Sequence, residues 1–262
     1  MKLSFRKLFF FLVFCGLVMP VFGMTIREFE EEVWRLTNAQ RRQHSLPALQ
    51  YDNGLADLAR IHSNNMVKHS FFAHTDHLGD DVASRQPKYY PALIVISIGE
   101  NLGKFSNSAR VFTPQELVTG WMNSPHHREN ILNLDYTHLG VGIVLQGNTL
   151  YATQNFAAPL VKLRSNLPKS MDQQRIYRIS FQYMGAANAK DLNCTLIYPD
   201  PEAAYQISDD QEMVGAQPLK IDWQDKNNFS LLVPFLAGKG DYKLCFGFGG
   251  GYYPDGVVLR AR

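Results

Sequence analysis

The chain has 262 residues, of which 45% are hydrophobic and 19% are charged, and its 26 basic and 24 acidic side chains give a formal net charge of +2 at pH 7. This near balance excludes the strongly basic surface that captures nucleic acid through its phosphates. A chain of this length can bury one large core or two ordinary ones, and we predict two.

The first 23 residues have the pattern of a secretory signal peptide. Lys2, Arg6 and Lys7 precede an apolar run at residues 8–21, which is shorter than the roughly 20 apolar residues that a membrane span needs. We therefore predict cleavage after residue 23 and no transmembrane anchor afterwards. Cleavage removes three basic and no acidic side chains, so the net charge changes from +2 to −1. The exported protein is then periplasmic, bound at the cell surface or secreted, and the sequence leaves these three alternatives open.

Four helices are predicted from capping signals and helical spacing of apolar residues. The first and third have complete capping boxes, in which a threonine is followed three residues later by a glutamate, and the third also has proline at its first helical position. The second has an aspartate at its start, and the fourth begins with serine and proline. The predicted caps are Thr25, Asp52, Thr113 and Ser124.

Strands are predicted between and after these helices. Residues 93–98 are apolar and β-branched, which is typical of a buried strand, and this strand is expected to end just before Gly99. Residues 139–145 and 150–156 form a hairpin around the two-residue turn Gly147-Asn148. Helices and strands thus mix as far as residue 162, and we predict an α/β domain at residues 24–162.

The pattern changes to strands alone after a polar linker at residues 163–172. Alternating apolar and polar residues predict strands at 176–183, 192–198, 219–223, 229–235, 242–248 and 257–260. A smaller all-β sandwich resembling immunoglobulin-like modules fits residues 173–262. Cys194 and Cys245 lie in two of these strands, and an oxidising compartment would permit a disulfide, but strand alternation leaves their pairing open.

Three polar clusters follow apolar segments of the first domain. They are Phe71-Phe72-Ala73-His74, Gly99-Glu100-Asn101-Leu102 and the segment 124–132, which contains His126 and His127. Two imidazoles and a carboxylate are a common ligand set for a divalent metal with open positions, or for a polarised water. If Ser124 caps the fourth helix, both imidazoles of that segment lie in its first turn, where the helix dipole disfavours protonation. For His126 we prefer a hydrogen bond to a backbone carbonyl.

Taken together, these segments resemble the CAP superfamily of cysteine-rich secretory, antigen 5 and pathogenesis-related proteins, in its bacterial form. The resemblance extends in order from Asn38 to Phe156. It includes Leu46-Pro47-Ala48-Leu49, Gly120-Trp121-Met122-Asn123-Ser124-Pro125-His126-His127-Arg128 and Tyr136-Thr137-His138-Leu139-Gly140-Val141-Gly142, together with the clusters around His74 and Glu100.

The resemblance implies an α-β-α sandwich with a cavity where two histidines and acidic residues meet, and where family members have bound divalent metals. His74 and Glu100 correspond directly to this cavity, and His127 supplies the second imidazole in the bacterial pattern. His138 and His126 are further cavity candidates. The implied cofactor is zinc or another divalent metal, and no catalytic residue is assigned.

Three functions are compatible with these residues. The first is an exported binding module for a metal and for a lipid, glycan or protein partner. The second is a hydrolase in which His127 or a metal-bound water is the general base and Glu100 assists. The third is a scaffold whose His-Glu cluster is structural. The first is preferred because the sequence has neither a Gly-x-Ser-x-Gly nor a His-Glu-x-x-His motif.

The remaining matched residues are predicted to be structural. Asn38 and Arg41 should tie the first helix to a loop, and Asn101 should bond to backbone beside Glu100. Gly140 and Gly142 should leave room on one strand face for either a helix or a bound molecule. The residues expected in the core are His62, Phe72 and Trp121.

Overall fold

A computed structural model describes residues 24–106, 112–208, 211–253 and 255–262, so the predicted signal peptide lies outside the described residues. The helices are α1 (Ile26–Gln43), α2 (Asn53–Lys68), α3 (Val82–Tyr89), α4 (Pro114–Asn123) and α5 (Pro125–Leu132). The strands of the first part are β1 (Gln50–Tyr51), β2 (Leu93–Ser106), β3 (His138–Gln146) and β4 (Thr149–Leu163). Those that follow are β5 (Ile176–Tyr183), β6 (Leu192–Ile197), β7 (Ala204–Ser208), β8 (Gln211–Val214), β9 (Ala216–Leu219), β10 (Asp222–Trp223), β11 (Asn228–Pro234), β12 (Gly240–Phe248) and β13 (Gly256–Ala261).

The helix starts agree with their predicted caps. The side chains of Thr25 and Thr113 complete capping boxes, and the Asp52 carboxylate accepts from the backbone N–H of Leu55. Ser124 is the N-cap residue of α5, as expected, although its side chain makes no capping hydrogen bond. Helix α3 was not predicted, because it is only eight residues long and contains a proline.

Strand β2 is longer than its apolar run suggested. It continues to Ser106 and pairs along its length with β4, in a register that places Glu100 opposite Asn155. The segment Gly99 to Leu102 therefore lies within the strand, and the prediction that it follows the strand was wrong. Glu100 is consequently held by the sheet, which fixes its position more firmly than a loop would.

The central sheet, in the order β2-β4-β3-β1, separates two helical layers. On one face α2 lies so close that a Cβ on Gly140 would come within 2.1 Å of the Ala56 backbone nitrogen. A helix therefore fills the space that these strand glycines leave. On the other face α1, α4 and α5 cover an apolar core that includes Trp121, which is 3% exposed. Phe72, which we expected in the core, is 45% exposed, so that prediction was wrong.

Residues beyond β4 form a sheet-rich region. Strand β5 pairs with the end of β4 and extends the central sheet through β11 to β10. A second sheet, β13-β12-β6-β9, faces this extension across one apolar core that includes Phe181, Phe229, Tyr242 and Phe246. The strands β7 and β8 form a separate hairpin that the sequence pattern did not predict.

Both cysteines of this region are free and buried. Strands β6 and β12 are neighbours, and Cys245 is opposite Thr195 while Cys194 is opposite Phe246. The two cysteines are thus offset by one residue across the ladder, and side chains offset in this way point to opposite faces of a sheet. A disulfide would require this register to shift.

Candidate functional site

Glu100 is the centre of a buried charge cluster. Its side chain is 2% exposed, and one carboxylate oxygen, Oε2, accepts a hydrogen bond from Nη2 of Arg85 at 2.5 Å. The Arg85 side chain is fully buried, so the ion pair is desolvated on both sides. A buried carboxylate needs such a partner, because an isolated charge in the interior is very costly.

His74 bonds to the second oxygen of the same carboxylate. Its Nδ1 lies 2.9 Å from Glu100 Oε1, whereas the imidazole as a whole is 58% exposed. In the described parts of the chain, Nε2 of His74 has no hydrogen-bond partner. One ring nitrogen is thus held by the protein interior while the ring remains accessible from solvent.

Arg85 also shapes the loop that carries His74. Its Nη1 donates to the backbone oxygens of His74 at 2.8 Å and of Asp80 at 2.7 Å. The same loop is closed by Asp76, whose carboxylate accepts from the backbone N–H groups of Leu78 and Asp80. Arg85 therefore fixes both the carboxylate and the backbone of the histidine that the carboxylate orients.

Sequence reasoning missed Arg85 because its segment is polar and α3 was not recognised. One signal was available: a glutamate that directly follows a buried strand requires a nearby cation if it is itself buried. Two basic residues, Arg85 and Lys88, lie between the clusters of His74 and Glu100, so the sequence would have offered Arg85 as one of two candidates.

His62 forms the inner wall of the cluster. It is fully buried on α2, its Nε2 lies 3.0 Å from the backbone oxygen of Ala73, and the same nitrogen is 3.9 Å from Glu100 Oε1. Burial lowers the pKa of His62, although the charge of Glu100 opposes the shift. His62 is thus a buried imidazole, as predicted, but it is not fully satisfied, because its Nδ1 has no hydrogen-bond partner among the described residues.

His127 approaches the cluster from α5. A polar network holds its backbone: Asn101 donates to the His127 oxygen at 3.0 Å, and Asn130 donates to the Asn101 side-chain oxygen at 2.9 Å. Burial lowers the pKa of the half-buried His127, and the charge of His74 lowers it further, which places the two rings within electrostatic reach. Its neighbour His126 is exposed, and no hydrogen bond of its ring is present among the described residues.

His138 lies apart from this cluster. It is buried at the start of β3, its Nδ1 is 2.9 Å from the Thr137 hydroxyl, and its pKa is lowered by burial. The charges that act on it are those of Asp52 and Lys162 rather than that of Glu100. The structure therefore pairs His74 with Glu100, places His127 within electrostatic reach of His74 and places His138 elsewhere.

His74, Glu100 and His127 fit a metal site only if Glu100 is removed from the predicted set of ligands. Both carboxylate oxygens of Glu100 are already bonded, one to Arg85 and one to His74. Across the residues that the structure describes, no group of three His, Cys, Asp or Glu side chains is arranged to hold an ion. What remains is an imidazole backed by a carboxylate, which is the usual support of a metal-binding histidine. Glu100 thus fits the role of orienting His74 and does not fit that of a ligand.

The first-helix residues of the predicted motif have the expected structural roles. Asn38 exchanges two hydrogen bonds with the backbone of Leu49, at 2.7 and 2.9 Å. The guanidinium of Arg41 donates to the backbone oxygens of Pro47 and Ile131, among others. These bonds tie α1 to the loop before β1 and to the end of α5.

In the described ranges, no helix is long and apolar enough to cross a membrane.

Comparison with curated proteins finds the uncharacterized protein YkwD of Bacillus subtilis (strain 168), 35% identical over 124 residues, which are 47% of this chain and 46% of YkwD. The chain spans less than half the length of the curated relatives it matches.

Similar solved structures include two bacterial proteins. An extracellular protein containing an SCP domain from Bacillus anthracis str. Ames is 28% identical, with a TM-score of 0.43, and the match covers 51% of this chain and 44% of that one. An outer surface protein from Borrelia burgdorferi is 20% identical, with a TM-score of 0.46, and 52% of this chain and 96% of that one are covered. Residues 34–156, which contain His74, Glu100 and His127, match the model of the cysteine-rich secretory protein (CAP) family.

Proposed function

We propose that the protein acts outside the cytosol as a binding module and that its CAP domain binds its ligand at His74 and His127. The observation that carries this proposal is the hydrogen bond between His74 Nδ1 and the buried Glu100 carboxylate. This bond fixes the ring and its tautomer while the exposed ring remains available to a ligand. A solvent-facing imidazole oriented by a buried ion pair is a costly arrangement for a purely structural residue.

Zinc, or another divalent metal, is the first ligand that we propose for this site. His74 and His127 would hold the ion, Glu100 would orient His74, and open positions would remain for a partner molecule. Burial lowers the pKa of His127, which favours the neutral imidazole that a metal ligand requires. The partner class that we propose to bind there is a lipid, a glycan or a protein outside the cytosol.

Export is proposed from the signal-peptide pattern of residues 1–23. The C-terminal region is proposed to be an immunoglobulin-like sandwich that serves as an adhesion or anchoring unit. Its strand order supports this: β5-β11-β10 and β13-β12-β6-β9 correspond to strands B-E-D and G-F-C-C′ of that fold. Such a unit would hold the CAP domain near its partner.

The experiment is a calorimetric titration of the purified protein with zinc. Wild type should bind zinc, whereas a His74→Ala/His127→Ala variant should not. The matched control is His69→Ala/His77→Ala, which removes two other imidazoles that stack with ring centroids 3.6 Å apart. Zinc binding that survives the first variant and disappears in the control would refute the proposal. Absence of binding in wild type would favour the scaffold function.

A second candidate function is hydrolysis, and the same hydrogen bond favours it. An imidazole oriented by a carboxylate is the base and orienting half of a catalytic triad. We assign this base position to His74, since Glu100 contacts His74, whereas the sequence had suggested His127. Hydrolysis of peptide, ester or cell-wall substrates that is lost in His74→Ala and retained in His126→Ala would establish this function. Activity unchanged in His74→Ala would exclude His74 as its base.

A further inference from the structure

A polar cavity lies where the CAP domain meets the C-terminal strands, away from the His74–Glu100 cluster. Its volume is about 320 Å³, at the lower end of the range for small-molecule sites. The CAP domain contributes Gln50 and His138 to its lining, and the C-terminal region contributes Gln182, Lys226 and Asn227. Neither part forms this cavity alone.

His138 presents an unsatisfied polar group to this cavity. The residue is only 5% exposed and lines the cavity, and its Nδ1 is paired with the Thr137 hydroxyl at 2.9 Å. In the described parts of the chain, Nε2 of His138 has no hydrogen-bond partner. When the hydroxyl of Thr137 donates to Nδ1, Nε2 carries the ring proton and can donate it to a ligand oxygen. Nε2 is not among the described buried atoms that lack a partner, so it is open to the cavity and accessible to a ligand.

Backbone hydrogen bonds hold the two walls of the cavity together. Tyr183 N donates to Asn227 O at 2.6 Å, and Met184 N donates to Leu160 O of β4 at 2.8 Å. His138 is itself fixed in the sheet between Gln50 and Ala157. The polar groups are thus positioned before any ligand arrives, which reduces the entropy cost of binding.

The lining selects the chemistry of the ligand. The carboxamides of Gln50, Gln182 and Asn227 both donate and accept hydrogen bonds, as sugar hydroxyls do. Lys226 adds an ammonium group at the rim, and no ion pair of Lys226 is present among the described residues. The acidic group on which its charge acts is the adjacent Asp225, whose pKa it helps to lower, and an ammonium that forms no direct ion pair favours a ligand that carries a carboxylate.

We propose that this interdomain cavity, formed by Gln50, His138, Gln182, Lys226 and Asn227, binds a sugar that carries a carboxylate group. Lys226 binds the carboxylate, His138 Nε2 donates to a ligand oxygen, and the carboxamides bind hydroxyls. The site is separate from the proposed function of His74, because it shares no residue with that cluster.

The test uses D-glucuronate as the probe, with saturation-transfer NMR and titration of the purified protein. Glucuronate should bind wild type, and Lys226→Ala should weaken binding about tenfold or more, since a hydrogen bond to a charged group is lost. Lys239→Ala is the matched control, because Lys239 is an exposed lysine of the same region outside the cavity lining, and should bind as wild type does. His138→Gln should also weaken binding. Because Lys226 is exposed, its variant decides the outcome even if His138→Gln fails to fold.

Two results would overturn the proposal. The absence of saturation transfer to glucuronate in wild type would show that the cavity does not bind this class of ligand. Equal affinity of wild type and Lys226→Ala for glucuronate would also refute the site. D-glucose and acetate separate the two parts of the ligand: either one binding as tightly as glucuronate would contradict recognition of a carboxylate-bearing sugar.

Discussion

Replacing Arg85 by methionine tests the buried ion pair that positions the candidate cluster of His74 and Glu100. Methionine keeps an unbranched chain of similar length but removes the charge. The side chains of Arg85 and Glu100 are 0% and 2% exposed, so the variant leaves a carboxylate buried without its cation. Breaking a buried pair in this way costs about 3–5 kcal/mol of unfolding free energy. Two backbone oxygens, those of His74 and Asp80, also lose their donor.

Urea unfolding followed by tryptophan fluorescence measures this cost, because Trp121 is buried in the same domain. The double variant Arg85→Met/Glu100→Gln should recover part of the loss, since the uncompensated charge is then absent. Arg260→Met is the control: its ion pair with Asp241 is solvent-exposed, and its removal should change stability little. A loss below about 1 kcal/mol in Arg85→Met would refute the assignment of Arg85 as the essential partner of Glu100.

Three further predictions concern packing, thiols and acid stability. Gly140→Ala should destabilise the protein strongly in urea unfolding, because the added Cβ would lie 2.1 Å from the backbone of α2. The control Gly120→Ala, whose added Cβ has its nearest atom at 3.6 Å, should be neutral or stabilising by about 0.5–1 kcal/mol. Cys194 and Cys245 are both free and buried, so without reductant both should react with a thiol reagent after unfolding and neither should react quickly in the folded protein. If the unfolded protein had neither of these two reactive thiols, the cysteines would be joined in a disulfide. Burial raises the pKa of Asp52, but hydrogen bonds from the Leu55 N–H and from Lys162 outweigh this effect and hold the pKa below its usual range. The ionised Asp52 therefore stabilises the folded protein fully above about pH 4, and this stabilisation is lost as the pH falls through the folded-state pKa. Asp52→Asn should therefore flatten the acid dependence of urea unfolding while keeping the helix cap, and an unchanged acid profile would exclude Asp52 as its source.

Local rules predicted the elements that depend on local chemistry. The capping boxes of Thr25 and Thr113 and the Gly147-Asn148 turn are specified within a few residues, and these elements occur where the sequence placed them. Helix α3 depends on tertiary contacts instead: its buried Arg85 and Gln86 bond to residues outside the helix. The length of β2 likewise comes from pairing with β4, which no local pattern records.

The hydrogen bonds that connect the candidate site residues could not be predicted from the sequence. The sequence brought His74, Glu100 and His127 together through a family resemblance. The sequence could not show that one carboxylate oxygen of Glu100 bonds to Arg85 and the other to His74, because this arrangement depends on side-chain geometry. Under the proposed function this partition matters, because a carboxylate with both oxygens bonded orients the imidazole of His74 and is not itself a ligand.

NMR of selectively histidine-labelled protein during zinc addition tests the central claim most directly. The ring resonances of His74 and His127 should shift together, while those of the buried His62 and His138 should not. Replacing Glu100 by glutamine should weaken zinc binding about 10–100-fold, as the loss of an orienting carboxylate does. Shifts confined to the stacked pair His69 and His77, or no shift of any ring, would contradict a ligand site built on His74 and oriented by Glu100.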